Sequence, residues 1–402
     1  MSPTPLGDRL AGVRRRAGLT EEQLAEQSDV SVSTVTKLEQ GTRASARLAT
    51  LHALARTLEV DTSALFEPSA PEPTENEDDA RSLDLMPLRQ ALTPSPLAAP
   101  LASELTDLEH LHASLADAER YAREGAYGQA TELLPEVITA TRAATDSPRV
   151  DEASGMLSRA LHLSGWMLTQ LRAFDLAYYP LREAADAETY ETLSAAQATV
   201  TLAWLLIRQG RLDEAQTCAT SRAEAIEPKM STATNGELST WCFLLLRASA
   251  AAARNNRPDD ARETLRLANS ATARLDPERV PGPLPPYGVA TRRLVGLKGV
   301  ENAMVAGEPS RALRLAERVP ARRGHVSLAN HNRHRLDVAA AHVSQRGYAE
   351  AFDILRDIRR EAPEWITHQR YARHTLATIL DQRSRPLTDE HRELADALKV
   401  DG

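Results

Sequence analysis

Two stretches of this sequence carry side chains placed where they can act on another molecule. The first is a short helical pattern from Val32 to Gln40, in which Val35 and Leu38 share one face and polar residues line the other. With Ser31 as its N-cap and Gly41 as its stop, such a helix presents an outer face that fits a DNA major groove. The second lies late in the chain, where Arg292, Arg293, Lys298, Arg333, Arg335, Arg370 and Arg373 crowd into helical segments. Such cations either pair with an acidic ligand or form a solvated helix face with i,i+4 partners such as Arg370 and His374.

Catalytic chemistry is not expected. The sequence has no Gly-rich phosphate loop, no GxSxG elbow, no HExxH and no paired Cys/His spacing, and its isolated carboxylates fall in amphipathic helices where solvation accounts for them. His325, His331, His334 and His342 invite a metal reading, but no carboxylate or Cys completes a ligand set, so neither metal nor cofactor is expected. Trp166, Trp204, Trp241 and Trp365 either stack on a ligand or pack a core built mostly of Ala and Leu.

The elements that position the first stretch are legible. Leu10 and Val13 share a face of a helix ending at Gly18, and Thr20 caps a second helix with Gln23 at the third position of a capping box. Leu24 and Ala25 face inward, Asp29-Val30-Ser31 form a tight turn, and small Ala25 allows the second and third helices to cross closely.

From Ala17 to Val60 the sequence resembles an Xre-type helix-turn-helix, the family of the phage repressors, and the resemblance covers residues 6 to 66. It implies a lambda-repressor-like fold that binds double-stranded DNA. It also implies that Val32, Ser33, Thr36 and Lys37 read bases, with Thr34 close to the backbone. Val32 would then meet a thymine methyl and Lys37 would donate to guanine. By the same resemblance Thr20, Gln23, Arg43 and Arg47 stand where the family opens its second helix and grips phosphates. Two positions differ from the family pattern: Glu21 stands where a phosphate-binding Gln is usual, and Asp29 replaces a turn glycine. Asp tolerates the left-handed conformation, so the turn is kept.

Composition sets the bounds. The chain has 402 residues, 42% of them hydrophobic and only 4% aromatic, which favours helices packed through Ala, Leu and Val. Two cysteines cannot build a disulfide framework, and no apolar run reaches membrane-spanning length, because Arg247 cuts the run that begins at Trp241. A cytoplasmic, non-membrane protein is expected. Arginine outnumbers lysine 44 to 4 while the net charge is −8, so the arginines reflect genome composition more than a nucleic-acid partner. Residues 1–65 hold eight basic and eight acidic side chains, so a single domain should grip DNA weakly and a homodimer on paired half-sites is expected.

Three regions follow: residues 1–66, a Pro-rich and acidic linker over 67–102, and a helical array over 103–402. The acidic run from Glu72 to Asp79 is either a solvated tether or a regulatory segment that competes with DNA. In the array, brief breaks are followed by an aromatic, Leu or Pro and, three residues on, by Ala. The pairs are Tyr127/Ala130, Phe174/Ala177, Leu212/Ala215, Pro258/Ala261, Pro309/Ala312 and Tyr348/Ala351, with Gly125, Gly210, Gly307 and Gly347 in the breaks. A helical hairpin needs such a turn, such a wedge and a small residue where its helices cross. The spacing of roughly 40 to 50 residues exceeds the ~34 of a tetratricopeptide unit, and the array resembles a loose tetratricopeptide (TPR) α-solenoid. Asp276 to Gly288, with five prolines, must leave the helical pattern as a surface loop or lid.

A helix-turn-helix joined to such an array resembles the peptide-sensing regulators of Gram-positive bacteria. The resemblance implies a transcriptional regulator controlled by a peptide or small-molecule effector on the concave face. Asn302 and Asn332 offer the paired donor and acceptor that a peptide backbone needs, and Lys298, His331, Arg335 and Tyr371 complete the expected ligand site. The competing reading is a non-catalytic adaptor whose array docks a protein and whose small domain serves only as an anchor.

Overall fold

The computed structural model describes residues 6–43, 46–65, 83–94, 108–144, 150–186, 192–276, 284–319, 326–382 and 386–400. Every regular element among them is a helix, and the extended pairing they show is an isolated bridge between Gly288 and Val326. The chain is all-α: an N-terminal helix-turn-helix domain followed by an array of helical hairpins.

Five helices build the N-terminal domain: α1 (Leu6–Arg16), α2 (Glu21–Ser28), α3 (Val32–Glu39), α4 (Leu48–Thr57) and α5 (Thr62–Leu65). The capping box is present, with the Gln23 amide donating to Thr20 Oγ1 at 3.2 Å and the Thr20 amide to Gln23 Oε1 at 2.9 Å. Asp29 ends α2 in the left-handed conformation at φ 56°, and Ser31 caps α3 by accepting from the Thr34 amide at 3.2 Å. Leu10, Leu24, Val35, Leu38, Leu54 and Leu65 are buried together as the domain's core.

Gly7 is required where α1 lies against the end of α3. A Cβ there would fall 2.5 Å from the Leu38 carbonyl oxygen and 2.7 Å from that of Glu39. Because backbone cannot yield as a side chain can, Gly7→Ala should destabilise the domain by about 1–3 kcal/mol. Calorimetry of the full chain should show an earlier N-terminal transition, and an unshifted one would mean that α1 and α3 pack further apart.

After α6 (Met86–Leu92), six hairpins follow. They pair α7 (Leu108–Glu124) with α8 (Tyr127–Ala143), α9 (Val150–Gln170) with α10 (Phe174–Ala184), and α11 (Thr192–Arg208) with α12 (Leu212–Ala225). The later three pair α13 (Asn235–Arg254) with α14 (Pro258–Ala271), α15 (Arg292–Val305) with α16 (Pro309–Glu317), and α17 (Leu328–Ser344) with α18 (Tyr348–Glu361). Three more helices complete the array: α19 (Pro363–Thr367), α20 (Arg370–Asp381) and α21 (Asp389–Leu398).

One turn is used six times. Each second helix begins at the aromatic, Leu or Pro read from sequence, and the Ala three residues on is buried. Two residues before each start stands a left-handed residue: Gly125, Arg172, Gly210, Asn256, Gly307 or Arg346. The next amide then reaches back to a carbonyl in the last turn of the first helix, as from Ala126 to Tyr121 at 2.9 Å and from Arg257 to Ala252 at 2.9 Å. At the last hairpin Gly347 lies in the break, as read from sequence, but Arg346 takes the left-handed conformation at φ 62°, whereas Gly347 has φ −81°.

Two further differences from the sequence reading are informative. Within the stretch read as linker, α6 packs on α8 and buries Leu88, Ala91 and Leu92, so apolar spacing prevails there over the Pro-rich surroundings; the acidic run lies outside the described residues. The end of the proline segment is not a surface loop. Tyr287, Val289 and Ala290 are buried, and their backbone is satisfied by the Asn330 side chain on the Tyr287 carbonyl at 3.1 Å and by Ser239 Oγ on the Ala290 amide at 3.0 Å.

The two ends of the array meet. Glu364 of α19 accepts from the amides of Tyr127 and Gly128, at 3.1 and 3.3 Å, and so caps α8 from across the molecule. One apolar cluster joins Leu111 and Leu115 of α7 to Trp365, Leu376 and Leu398. The hairpins therefore curl around a central space.

Candidate functional site

The outer face of α3 is free. Val32 is 42% exposed, Ser33, Lys37 and Gln40 are exposed, and Thr34 is half-buried and bonded to the capping Ser31 Oγ at 2.8 Å. Thr20, Gln23, Arg43 and Arg47 are exposed on the same domain. Thr36 is engaged internally, donating to Glu21 Oε2 at 2.5 Å. Glu21 therefore ties α2 to the recognition helix, which gives this departure from the family pattern a structural use.

Arg14 holds α3 at its other end. Its guanidinium forms a two-pronged pair with Glu39, both contacts 2.6 Å, and also donates to the Leu19 carbonyl at 2.9 Å. The Glu39 side chain is 6% exposed and that of Arg14 is 11% exposed, so this cation serves the fold rather than a phosphate.

The domain docks on the array through α4 and α5, away from α3. The His52 Nδ1–H donates to the Arg254 carbonyl at 2.8 Å, and the Asn255 side-chain oxygen accepts from the Ser63 amide at 2.8 Å. The buried end of α13 thus satisfies free amides at the start of α5. Arg257 grips Asp61 at 2.5 Å, Asn256 donates to the Val60 carbonyl at 3.2 Å, and Arg56 donates to the Ala306 carbonyl. Gly307 leaves room for Arg56, since a Cβ there would overlap the guanidinium.

Beneath the docked domain lies a cavity of about 250 Å³ on the inner side of the hairpins, with Leu48 of α4 in its wall. Its lining comes from successive first helices at i, i+3 or i+4 spacing: Trp166 and Gln170, then Trp204 and Arg208, then Arg247, Ala250 and Arg254, then Lys298 and Glu301, then Asn330 and Arg333. Five cations face one carboxylate. Lys298 and Arg254 share Glu301 at 2.7 and 2.6 Å; burial opposes ionisation of Glu301, but the two cations overcome it and hold the carboxyl below the usual range. Of the other three, Arg333 is favoured by the nearby charges of Asp337 and Glu301, and Arg247 by that of Glu301, without an ion pair among the described residues, and Arg208 has no carboxylate near it there. Burial draws Arg247 down to about 10 and lowers Arg333, and Arg208 is lowered by burial and then by repulsion from Arg333, Arg172, Arg254 and Arg370. Because arginine keeps its proton, these shifts measure the cost of holding the charges there.

Of the six residues expected to bind ligand, Lys298 lines this cavity. Asn302 is half-buried and donates to Ser249 Oγ at 2.9 Å, and Asn332 is fully buried, 3.5 Å from Arg335. His331 and Arg335 line a separate surface depression of about 320 Å³ with Arg293 and His334, where His331 lies 3.3 Å from Arg293 and Arg335 pairs with Glu361 at 3.2 Å. Tyr371 is half-buried, and burial raises its hydroxyl far above the ordinary range. His325 lies outside the described residues, and burial pulls His334 down to about 4. Trp166, Trp204 and Trp365 line the cavity, whereas Trp241 packs in an apolar cluster. Arg208 and Arg247 escape a sequence reading by crowding, because Arg208 is the one cation of α11 and Arg247 stands seven residues from the other cation of α13. The available signal was Arg247, a charge interrupting a buried apolar run.

His162, beside the cavity wall, contacts Thr201 Oγ1 at 2.8 Å and the Tyr287 ring at 5.8 Å, and burial pulls its pKa down to about 3. A base depressed by folding binds its proton in the unfolded chain first. Its contribution is therefore complete above the unfolded value near 6.5 and is lost as pH falls from there towards 3. Thermal unfolding followed from pH 7 to pH 4 should show His162→Gln losing stability less steeply than the parent chain, by about one bound proton. Parallel curves would place a proton on His162 in the folded state.

Fold and interface together define a helix-turn-helix domain joined to an all-helical array. Residues 5–66 match the helix-turn-helix domain family, and a domain of that kind points to a DNA-binding regulator. No curated protein matches the chain. Among the described residues no helix is long and apolar enough to cross a membrane.

Proposed function

We propose that this chain is a sequence-specific, DNA-binding regulator of transcription, of Xre type, whose activity responds to a ligand on the inner face of its TPR-like array. The observation that carries the reading is the orientation of the docked domain: α4 and α5 hold it to the array while the outer face of α3 stays exposed. Direct readout needs that face free to approach base edges. Ligand control is supported by Leu48, which belongs to the DNA-binding domain and yet walls the array's cavity. An occupant touching Leu48 has different contacts in docked and undocked states, which is the differential free energy a switch requires. The chain acts without catalysis, in the cytoplasm, and as a homodimer, because a domain with eight basic and eight acidic residues gains little from phosphate attraction alone.

The test is retardation of DNA from upstream of the chain's own gene, at stated salt, with and without culture extract, alongside enrichment of genomic fragments by the purified chain. A discrete shifted band whose affinity changes with extract is expected. Failure to retain any fragment selectively would favour the adaptor reading.

A further inference from the structure

We propose that the central cavity is a binding site for a small organic anion with an aromatic or otherwise planar body, whose acid group is held by Arg208 with Arg247 beside it. This deepens the ligand-control reading by naming the ligand's chemistry, and it is tested without DNA.

Three observations converge. First, the charge is unbalanced: among the described residues Arg208 has neither an ion pair nor a hydrogen-bond acceptor, while Arg247 donates to the Val200 carbonyl at 3.2 Å and Arg333 to Gln369 Oε1 at 2.7 Å. Desolvated cations without a counter-charge are costly, and an acid group supplies two oxygens that a guanidinium can bind in parallel. Second, the cations are backed by aromatic faces. Arg208 and Arg247 both lie against the Trp204 ring, at 5.8 and 5.6 Å, and Arg333 lies 6.0 Å from Trp365. These rings give a planar body its packing surface, and Trp365, 1% exposed, has an indole N–H without an acceptor among the described residues. Third, the size is selective. An apolar cavity of roughly 150 Å³ holds one benzene, so about 250 Å³ suits a body of one or two rings and excludes an extended peptide.

The experiment is calorimetric titration of the full chain with benzoate, phenyl phosphate, inorganic phosphate, the neutral isostere benzamide and the cation benzamidine. Benzoate or phenyl phosphate should bind at least about tenfold more tightly than benzamide, as a charge-assisted pair requires, and benzamidine should not bind. Inorganic phosphate should bind more weakly than phenyl phosphate. Arg208→Gln should lower anion affinity by about tenfold or more with helix content unchanged. If that variant fails to fold, Leu48→Trp, which fills the cavity from the docked domain and leaves every cation in place, should abolish binding instead. Equal binding of benzoate and benzamide, phosphate binding as well as phenyl phosphate, no anion binding at millimolar concentration, or full affinity in either folded variant would overturn the proposal. A chain that binds these anions but retains no DNA would leave this site standing and remove the regulator reading; the converse result would do the opposite.

Discussion

A chain carrying both Lys37→Ala and Arg43→Ala should bind its operator about 100-fold more weakly than the parent, since a base contact and a phosphate contact together supply roughly 3 kcal/mol. Both side chains are exposed, one on the outer face of α3 and the other just beyond it. Their removal should therefore leave helix content, the docked interface and anion binding intact. Fluorescence anisotropy with the operator duplex over a salt series separates the roles. Arg43→Ala alone should weaken binding uniformly across sequences and reduce the salt slope by about one. Lys37→Ala alone should instead relax the preference at one base pair. Affinity within threefold of the parent for the double variant would remove direct readout through α3 and leave the adaptor reading.

Glu39→Ala should markedly destabilise the N-terminal domain. It leaves the Arg14 guanidinium, whose side chain is 11% exposed, with the distant Glu21 at 4.0 Å and the Leu19 carbonyl, and unties the end of α1 from the end of α3. Breaking one partner of such a pair costs about 3 kcal/mol, because the remaining charge is left desolvated, whereas replacing both partners by apolar groups is often neutral. Amide exchange should accelerate in α1 to α3 and remain unchanged in the hairpins. The double variant Arg14→Met with Glu39→Leu should restore most of the protection. If Glu39→Ala exchanged like the parent, the pair would be ornamental and α1 would be held by apolar packing alone.

The six hairpin turns show how far local chemistry reaches. Gly125, Gly210 and Gly307 occupy left-handed positions that glycine adopts at no steric cost, and Pro258 and Pro309 begin helices where a missing N–H is harmless. Arg172, Asn256 and Arg346 adopt the same conformation without glycine, so those three turns are recognised from the residues that follow them. The helix-turn-helix caps are similarly short-range, since Thr20 with Gln23, and Ser31 with Thr34, act across three residues.

Beyond that range the residues themselves are mute. Arg208, Arg247 and Arg333 sit on three different first helices, and they meet because the stacked hairpins turn these helices towards one inner space. Burial of α6 depends on an apolar patch on α8 far along the chain, and the seating of Leu48 in the cavity wall depends on Asn255 and Arg257 lying at one hairpin turn. By itself, then, the amino-acid order determined the all-α class, the helix-turn-helix with its caps and inward faces, and where each second helix begins, since these depend on neighbours a turn or less away. The tertiary structure alone decided that the array's ends meet, that the helix-turn-helix domain rests on it by α4 and α5, and that arginines from three hairpins share one cavity. Those outcomes are sums over interhelix angles and long-range burial that no local pattern records.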